Sequence, residues 1–241
     1  MSGFSYSGYA VMLAGAIAIT VPFWIRLARR DRRLMFIYLV AILGAFLGAN
    51  FVYLAAEGWR QHGLETFSAH LVVGKSVLGG LLGGYLAVEL AKRVVRYRQP
   101  TGDLFATVLP LALILGRFGC LQAGCCLGVA CNPAWFTLAD EYGVQRWPAV
   151  PLEILFNLVC VLVFYTLRKG SVLRGQHFHL YLIGYGLFRM CHEFARDTPE
   201  IIGGISGYQI AAVLVAVLGI WGFNRRRRQL QRNLGQDGSI F

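Results

Sequence analysis

The stretch "LMFIYLVAILGAFLGANFVYLAA", Leu34–Ala56, decides the fold class because it contains no charged residue over its whole length. A helix needs about 20 predominantly apolar residues to cross a bilayer. The rest of the chain agrees with such a segment, since 56% of its 241 residues are hydrophobic and 15% are charged. A soluble domain has about 25% charged residues. The sequence therefore predicts an integral membrane protein.

Six further apolar stretches have a similar length, and none alternates as the strands of a membrane barrel do. Together they predict seven membrane-spanning helices: Gly8–Trp24, Leu34–Ala56, Ala69–Leu90, Leu104–Cys120, Ala149–Leu167, His177–Glu193 and Gly207–Phe223. We expect an all-α fold with one polytopic membrane domain over residues 1–241, ending in a basic cytoplasmic tail at residues 225–241.

The distribution of positive charge predicts the orientation in the membrane. Seventeen of the 23 Lys and Arg residues follow spans one, three, five and seven, whereas the other connections hold Arg60, Arg146 and Arg196. Positively charged loops stay in the cytoplasm, so we expect the N-terminus outside and the C-terminus inside. Short basic runs between apolar segments suit anionic membrane lipid. We therefore expect no nucleic-acid partner.

This orientation places ionisable residues from separate spans at one depth, near the outer ends of the helices. Arg117 and Glu153 belong to spans four and five, and Arg189, Glu193 and Arg196 recur at i, i+4 and i+7. That spacing predicts one helix face. Charges inside a membrane cost roughly 2.5–3.5 kcal/mol on insertion scales and usually mark function. Because guanidinium groups bind phosphate through a planar fork, we predict an anion clamp, with structural salt bridges as the alternative.

Small residues form a second feature in "GKSVLGGLLGG", Gly74–Gly84. Gly79, Gly80, Gly83 and Gly84 recur at helical spacing, which is typical of close helix packing in membranes. The alternative function is a bare backbone surface that a lipid head group approaches closely.

Four of the six cysteines lie within "GCLQAGCCLGVAC", on the predicted outer side: Cys120, Cys125, Cys126 and Cys131. Four interpretations stay open, namely disulfides in an oxidising compartment, apolar packing at a helix end, a metal site and a reactive thiol beside Arg117. Because adjacent cysteines rarely both bind one ion, the predicted site includes no metal.

Four motifs resemble those of the prolipoprotein diacylglyceryl transferases, and they lie in spans three to seven: "GRFG" (Gly116–Gly119), "WPAVPLE" (Trp147–Glu153), "YLIGYGLFRMCHEFAR" (Tyr181–Arg196) and "GISGYQI" (Gly204–Ile210). The resemblance implies a multi-pass enzyme of the bacterial inner membrane without a cofactor. Such enzymes transfer diacylglyceryl from phosphatidylglycerol to the lipobox cysteine thiol of a preprolipoprotein and release glycerol phosphate.

The resemblance also implies roles for individual residues. Arg117 and Arg189 are expected to stabilise the leaving phosphate, and Glu193 is expected to orient Arg189 or to accept a proton. The expected substrate-binding residues are Gly116, Gly119, Ser76, Gly79, Gly80, Glu153 and Arg196.

The chain departs from the family pattern at several polar positions. Leu78 stands where the family has a histidine often proposed as a base, and Cys120, Ala123 and Cys125 replace two asparagines and a glutamate. These changes leave two alternatives, a divergent transferase with a non-lipobox acceptor and a non-enzymatic membrane protein that binds anionic lipid or senses redox state. The remaining candidate bases are Glu193, His192 and His70.

Overall fold

The computed structural model describes residues 31–57 and 75–237, together with the single positions 15, 21 and 25. For residues 202 and 233–237 only the backbone is described. This part of the chain forms six α-helices: α1 (Arg32–Ala56), α2 (Val77–Val94), α3 (Gly102–Gln122), α4 (Ala149–Lys169), α5 (His177–His192) and α6 (Gly207–Asp237). They overlap six of the seven predicted spans, although α2 begins at Val77 rather than at Ala69 and α6 continues to Asp237 beyond Phe223. Apart from the single positions 15 and 21, the first predicted span, Gly8–Trp24, lies outside the described residues, as does His70.

Four of these helices are long and apolar enough to cross a membrane, namely α1, α3, α4 and residues Gly207–Arg232 of α6. Their outer surfaces are apolar as well, since Leu39, Phe51 and Leu155 are exposed by 60%, 72% and 55%. Water would make such a surface costly, whereas lipid chains solvate it. The mostly helical fold is therefore that of an all-α membrane protein.

Glycine residues let α1 and α2 pack with their backbones in contact. A Cβ atom added at Gly79 would overlap the carbonyl oxygen of Gly48, and one at Gly83 would overlap the carbonyl oxygen of Gly44. This geometry favours the packing interpretation of the glycine stretch. Ser76 begins α2, because its side chain accepts a hydrogen bond from the Gly79 amide at 3.4 Å.

The hydrophobic core is formed mainly by α5 and α6. Tyr181 and Tyr185 are fully buried, and their rings stack with centroids 5.6 Å apart. A Cβ atom added at Gly186 would lie 2.7 Å from the carbonyl oxygen of Ala212, so α5 and α6 also approach closely. This packing fixes the last turn of α5, which carries Arg189.

The connection between α3 and α4 folds over the ends of the helices. It contains the antiparallel pair β1 (Leu138–Ala139) and β2 (Gln145–Arg146). Gly128 pairs with Arg196 beyond α5, and the Val129 amide donates to the Ala195 carbonyl at 3.1 Å. A second pair, β3 (Glu200–Ile202) and β4 (Ile205–Ser206), precedes α6. The two connections therefore form one cap over this end of the bundle.

Candidate functional site

Three helices bring charged side chains together beneath this cap. Arg117 lies near the end of α3, Glu153 in the second turn of α4, and Arg189 in the last turn of α5. Arg117 Nη2 lies 2.9 Å from Glu153 Oε1, and Arg189 Nη1 lies 3.2 Å from Glu153 Oε2. The two arginines thus converge on the two oxygens of a single carboxylate, which is only 2% exposed.

A second carboxylate extends the arrangement. Glu193 Oε2 lies 2.6 Å from Arg189 Nη2 and 3.6 Å from Arg196 Nη1. We call Arg117, Glu153, Arg189, Glu193 and Arg196 the charged network. Three guanidinium groups and two carboxylates leave it with one excess positive charge. Buried charges are stable only when they are paired and hydrogen-bonded, and alternation of sign along the network meets that condition.

The prediction of a single helix face over Arg189, Glu193 and Arg196 is wrong in its backbone geometry. The α-helix ends at His192, residues Glu193–Ala195 form a 3₁₀ turn, and Arg196 has extended backbone angles. The helix ends there because Arg196 pairs with Gly128 of the cap. The two ion pairs of Glu193 form nevertheless. Arg189 precedes Glu193 by four residues and pairs with it across the last α-helical turn, and the 3₁₀ turn brings Arg196, three residues further on, close to the same carboxylate.

Two hydroxyl groups complete the network, and the sequence argument missed both. Tyr185 Oη donates to Glu153 Oε1 at 2.8 Å, and Thr198 Oγ1 donates to Glu193 Oε1 at 2.9 Å. The sequence does contain a signal for Tyr185, because this residue precedes Arg189 by four positions and therefore lies on the same helix face. The sequence contains no such signal for Thr198, since the position of this residue depends on the path of the chain after α5 ends.

His192 is not free to act as a base in this arrangement. Its Nε2 atom lies 2.8 Å from the Ala149 carbonyl oxygen, and its Nδ1 atom lies 3.1 Å from Arg189 Nη1. A carbonyl only accepts and a guanidinium only donates, so we assign the proton to Nε2 and the lone pair of Nδ1 to Arg189. The imidazole therefore positions Arg189.

The arginines keep donors for a further anion. Arg189 is 3% exposed, yet its Nε atom has no hydrogen-bond partner among the described residues. Arg117 Nη1 faces sulfur, 3.5 Å from Cys126 Sγ and 3.7 Å from Cys120 Sγ. Sulfur is a weak acceptor, so both guanidinium groups have hydrogen-bonding capacity left for a phosphate.

The small residues predicted to bind substrate fall into two groups. Gly116 has open space where a Cβ would lie, and Gly119, two residues after Arg117, is buried. Ser76, Gly79 and Gly80 lie at the start of α2. Within residues 31–57 and 75–237, no hydrogen bond or ion pair links these three to the charged network.

Three cysteines meet beside Arg117. The Sγ atoms of Cys120, Cys125 and Cys126 all lie within 4.8 Å of one another, and we call these residues the thiol cluster. Cys131 does not belong to it, and all four cysteines are free thiols. Its hydrogen bonds with Cys120 and Cys125, together with the charge of Arg117, lower the pKa of the Cys126 thiol well below its ordinary value despite its burial.

A cavity of about 230 Å³ opens onto the thiol cluster. Its walls include Gly128, Trp147 and Pro151 from the cap and the start of α4. The Trp147 Nε1 atom is buried with no hydrogen-bond partner in the described part of the chain. The cavity thus connects the cap to the thiols that lie against Arg117.

These features define a class of protein, a helical membrane protein with a phosphate-compatible charged network at one end of its helices. The sequence profile of the prolipoprotein diacylglyceryl transferase family matches residues 1–225. The chain belongs to that family of transferases.

Full-length relatives carry the same description. The enzyme named phosphatidylglycerol–prolipoprotein diacylglyceryl transferase in Dehalococcoides mccartyi is 26% identical over 239 residues, which cover 92% of this chain and 89% of the relative. A second enzyme of that name in Clostridium perfringens is 24% identical, with 97% and 96% covered. The Erwinia tasmaniensis enzyme is 30% identical over 223 residues, with 78% and 76% covered.

Proposed function

We propose that this protein transfers diacylglyceryl from phosphatidylglycerol to the lipobox cysteine thiol of a preprolipoprotein and releases glycerol phosphate. The observation that carries the proposal is the convergence of Arg117 and Arg189 on Glu153, from three helices, in a chain of this family. Two guanidinium groups held at fixed positions in a water-poor site are suited to a phosphate that gains charge during a reaction.

The reaction is a displacement at a glyceryl carbon. The acceptor thiolate forms the new carbon–sulfur bond, the bond between that carbon and the phosphate oxygen breaks, and glycerol phosphate leaves with the electron pair. Arg117 and Arg189 stabilise the charge that grows on the leaving phosphate. Arg189 does so through Nε, the donor that has no partner among the described residues.

The other network residues hold these two arginines in place. Glu153 fixes Arg117 and Arg189 relative to each other, while Glu193 orients Arg189 and, with Arg196, continues the network towards the cap. Gly116, which has open space where a Cβ would lie, leaves room for the head group beside Arg117, and we assign Gly119 to the same part of the site. We assign Ser76, Gly79 and Gly80, predicted from the sequence to bind substrate, to capping and packing of α2, since Gly79 lies against Gly48.

We also propose that the chain forms one domain of seven spans, with its N-terminus outside and its C-terminus in the cytoplasm of a bacterial inner membrane. The charged network then lies at the outer leaflet. The opposite end supports this orientation, because Arg168, Arg174 and Arg226 line a cavity of about 600 Å³ there. Labelling of single introduced cysteines with a membrane-impermeant maleimide tests it, and reaction at residue 171 but not at residue 142 in intact cells would overturn it.

A different acceptor is the second candidate. Leu78, which replaces the histidine that the resemblance leads us to expect, is buried in the core with 1% exposure, and thiols lie near Arg117 where the family has polar residues. A changed site of this kind suits an acceptor other than a lipobox peptide.

The test is complementation of a conditional strain that lacks its housekeeping transferase, combined with phosphatidylglycerol labelled in its acyl chains. We expect growth and label in lipoproteins with the wild-type protein, and neither with R189A. Label in a small molecule without growth would select the divergent acceptor. Absence of transfer by purified protein across a broad screen of thiol acceptors would contradict the enzyme and favour lipid binding.

A further inference from the structure

The thiol cluster has the dimensions of a metal site. Cysteine ligands lie about 2.3 Å from Zn²⁺, so two thiolates of a tetrahedral site are about 3.8 Å apart. The Sγ atoms of Cys120 and Cys126 are 4.0 Å apart, and all three sulfurs of the cluster lie within 4.8 Å of one another. None of the three separations therefore exceeds the tetrahedral value by more than about 1 Å.

The backbone explains how two adjacent cysteines face one point. Gly124 and Cys126 have positive φ angles of 58° and 60°, and this left-handed conformation is unfavourable for a residue with a Cβ atom. The turn directs the Cys125 and Cys126 side chains towards Cys120 at the end of α3. Although neighbouring cysteines rarely bind one ion, this turn brings both of their sulfurs close to Cys120, and strain of this kind is typical of functional sites.

The charges nearby favour a divalent ion with three thiolates. Zn²⁺ with three thiolates carries one negative charge, and the charged network carries one positive charge in excess. Arg117 connects the two groups, since its Nη2 atom binds Glu153 and its Nη1 atom lies 3.5 Å from Cys126 Sγ. Before an acceptor binds, the zinc site and the charged network together are therefore electrically neutral, which suits a site at the edge of a membrane.

We propose that Cys120, Cys125 and Cys126 bind a Zn²⁺ ion whose fourth position faces the 230 Å³ cavity and receives the acceptor thiol. Three protein ligands and one open position are the arrangement of catalytic rather than structural zinc sites. This inference rests on the proposed function, because it assigns the ion a role in preparing the acceptor.

The role follows from the residue that the site lacks. Leu78 cannot accept a proton. Of the candidate bases within the described residues, His192 has both ring nitrogens engaged, and Glu193 is held in two ion pairs. A thiol that coordinates a metal loses its proton outright, so the acceptor enters as a thiol, releases its proton to water and is held as a thiolate. The thiolate then displaces glycerol phosphate at the glyceryl carbon, while Arg117 stabilises the leaving phosphate. The zinc changes neither charge nor oxidation state.

Metal content gives the first test and does not depend on activity. Wild-type protein purified in detergent without added reductant is expected to contain about one zinc per chain, measured by mass spectrometry of the elements. Replacement of zinc by Co²⁺ is expected to give strong sulfur-to-cobalt charge-transfer absorption. Both signals should be lost in C120S, C125S and C126S and kept in the matched control C131S, with folding of every variant checked by gel filtration. A wild-type protein without zinc, or with a Cys120–Cys126 disulfide or copper in its place, overturns the proposal.

Transfer activity gives the second test and separates this inference from the proposed function. Removal of zinc with a membrane-permeant chelator is expected to lower transfer of labelled diacylglyceryl to a lipobox peptide at least tenfold, and added Zn²⁺ should restore it. Full transfer by zinc-free protein would overturn the inference and leave the proposed function standing. Zinc-loaded protein that transfers to no thiol acceptor would overturn the proposed function, and with it the role of the metal.

Discussion

The two ends of the helical bundle use the same residue types in opposite ways. At the network end, Arg189 is 3% exposed and contacts two carboxylates. At the other end, which we call the basic end, Glu89 pairs with Lys92 and Arg225 at 3.7 Å and 3.2 Å. Water reaches these pairs, since the side chains of Glu89, Lys92 and Arg225 are 27%, 18% and 41% exposed.

The difference shows that burial, rather than the number of charges, distinguishes a functional site from residues that only contact anionic lipid. Exposed ion pairs are screened by water and contribute about 0–1 kcal/mol. A buried network is costly to assemble and is strongly destabilised by the loss of one partner. Its persistence at the network end therefore favours a function, whereas the basic end needs only contact with anionic lipid.

The largest expected effect is that of E153Q. The substitution leaves Arg117 and Arg189 buried against each other without their shared carboxylate, so we expect a loss of about 3–5 kcal/mol in the free energy of unfolding. The measurement is denaturation in mixed micelles. E89Q is the matched control at the basic end, with an expected loss of about 1 kcal/mol or less. Equal losses for the two variants would contradict the contrast between the ends.

A packing variant tests whether substitutions outside the charged network also destabilise the protein. G79A places a methyl group against the carbonyl oxygen of Gly48, and overpacking of this kind costs about 1–3 kcal/mol. G116A adds the same group in open space and should change stability by about 0.5 kcal/mol or less. If G79A unfolds no more readily than G116A, the α1–α2 contact is not as close as the structure has it, and Gly79 again becomes a candidate for lipid binding.

A smaller difference in stability, about 0.5–2 kcal/mol, is expected between variants that remove a tyrosine hydroxyl group at each end. Y185F removes a hydrogen bond to the ionised Glu153, and such bonds are worth about 1.5–3 kcal/mol. Y85F removes a contact of 3.3 Å with His179 near the basic end, for which we expect about 1 kcal/mol. Thermal unfolding of both variants gives the comparison. A larger loss for Y85F would indicate that Tyr185 is not part of the network.

The smallest effect concerns the cap and depends on pH. Asp140 accepts from Arg146 Nε at 3.0 Å and from the amides of Tyr142 and Val144 at 2.9 Å. These bonds outweigh the effect of burial and lower the pKa of Asp140. Since the folded pKa lies below the unfolded one, the stabilisation is complete above about pH 4 and is lost as the pH falls through the folded value.

Hydrogen exchange at the two amides measures this effect. Their protection should be constant from neutral pH to about pH 5 and should fall in more acidic buffer once intrinsic exchange is subtracted. D140N should lower it at neutral pH. Unchanged protection in D140N would show that the hairpin is held by other contacts.

Much of the fold follows from the sequence, because apolar runs such as Leu34–Ala56 need no partner to identify them. Helices lie at six of the seven predicted spans. The sequence also predicted that five ionisable residues lie at one depth in the membrane, and the structure links them by ion pairs: Arg117, Glu153, Arg189, Glu193 and Arg196. Their roles in binding and catalysis stay predictions.

The sequence could not predict contacts that depend on how distant segments of the chain pack against each other or on the conformation of a single turn. The end of α5 at His192 results from pairing between Arg196 and the cap, which lies far away in the chain. The convergence of Cys125 and Cys126 depends on the left-handed turn at Gly124 and Cys126. Neither feature has a periodic signal, and both are set by the α3–α4 connection.

Binding of phosphatidylglycerol by purified protein tests the central claim most directly, with R189K compared with R225K. Lysine keeps the charge but loses the planar fork that binds phosphate through two donors. We predict that R189K lowers the affinity for phosphatidylglycerol at least tenfold and that R225K leaves it unchanged. Wild-type affinity in R189K together with a loss in R225K would place the lipid at the basic end and contradict the account.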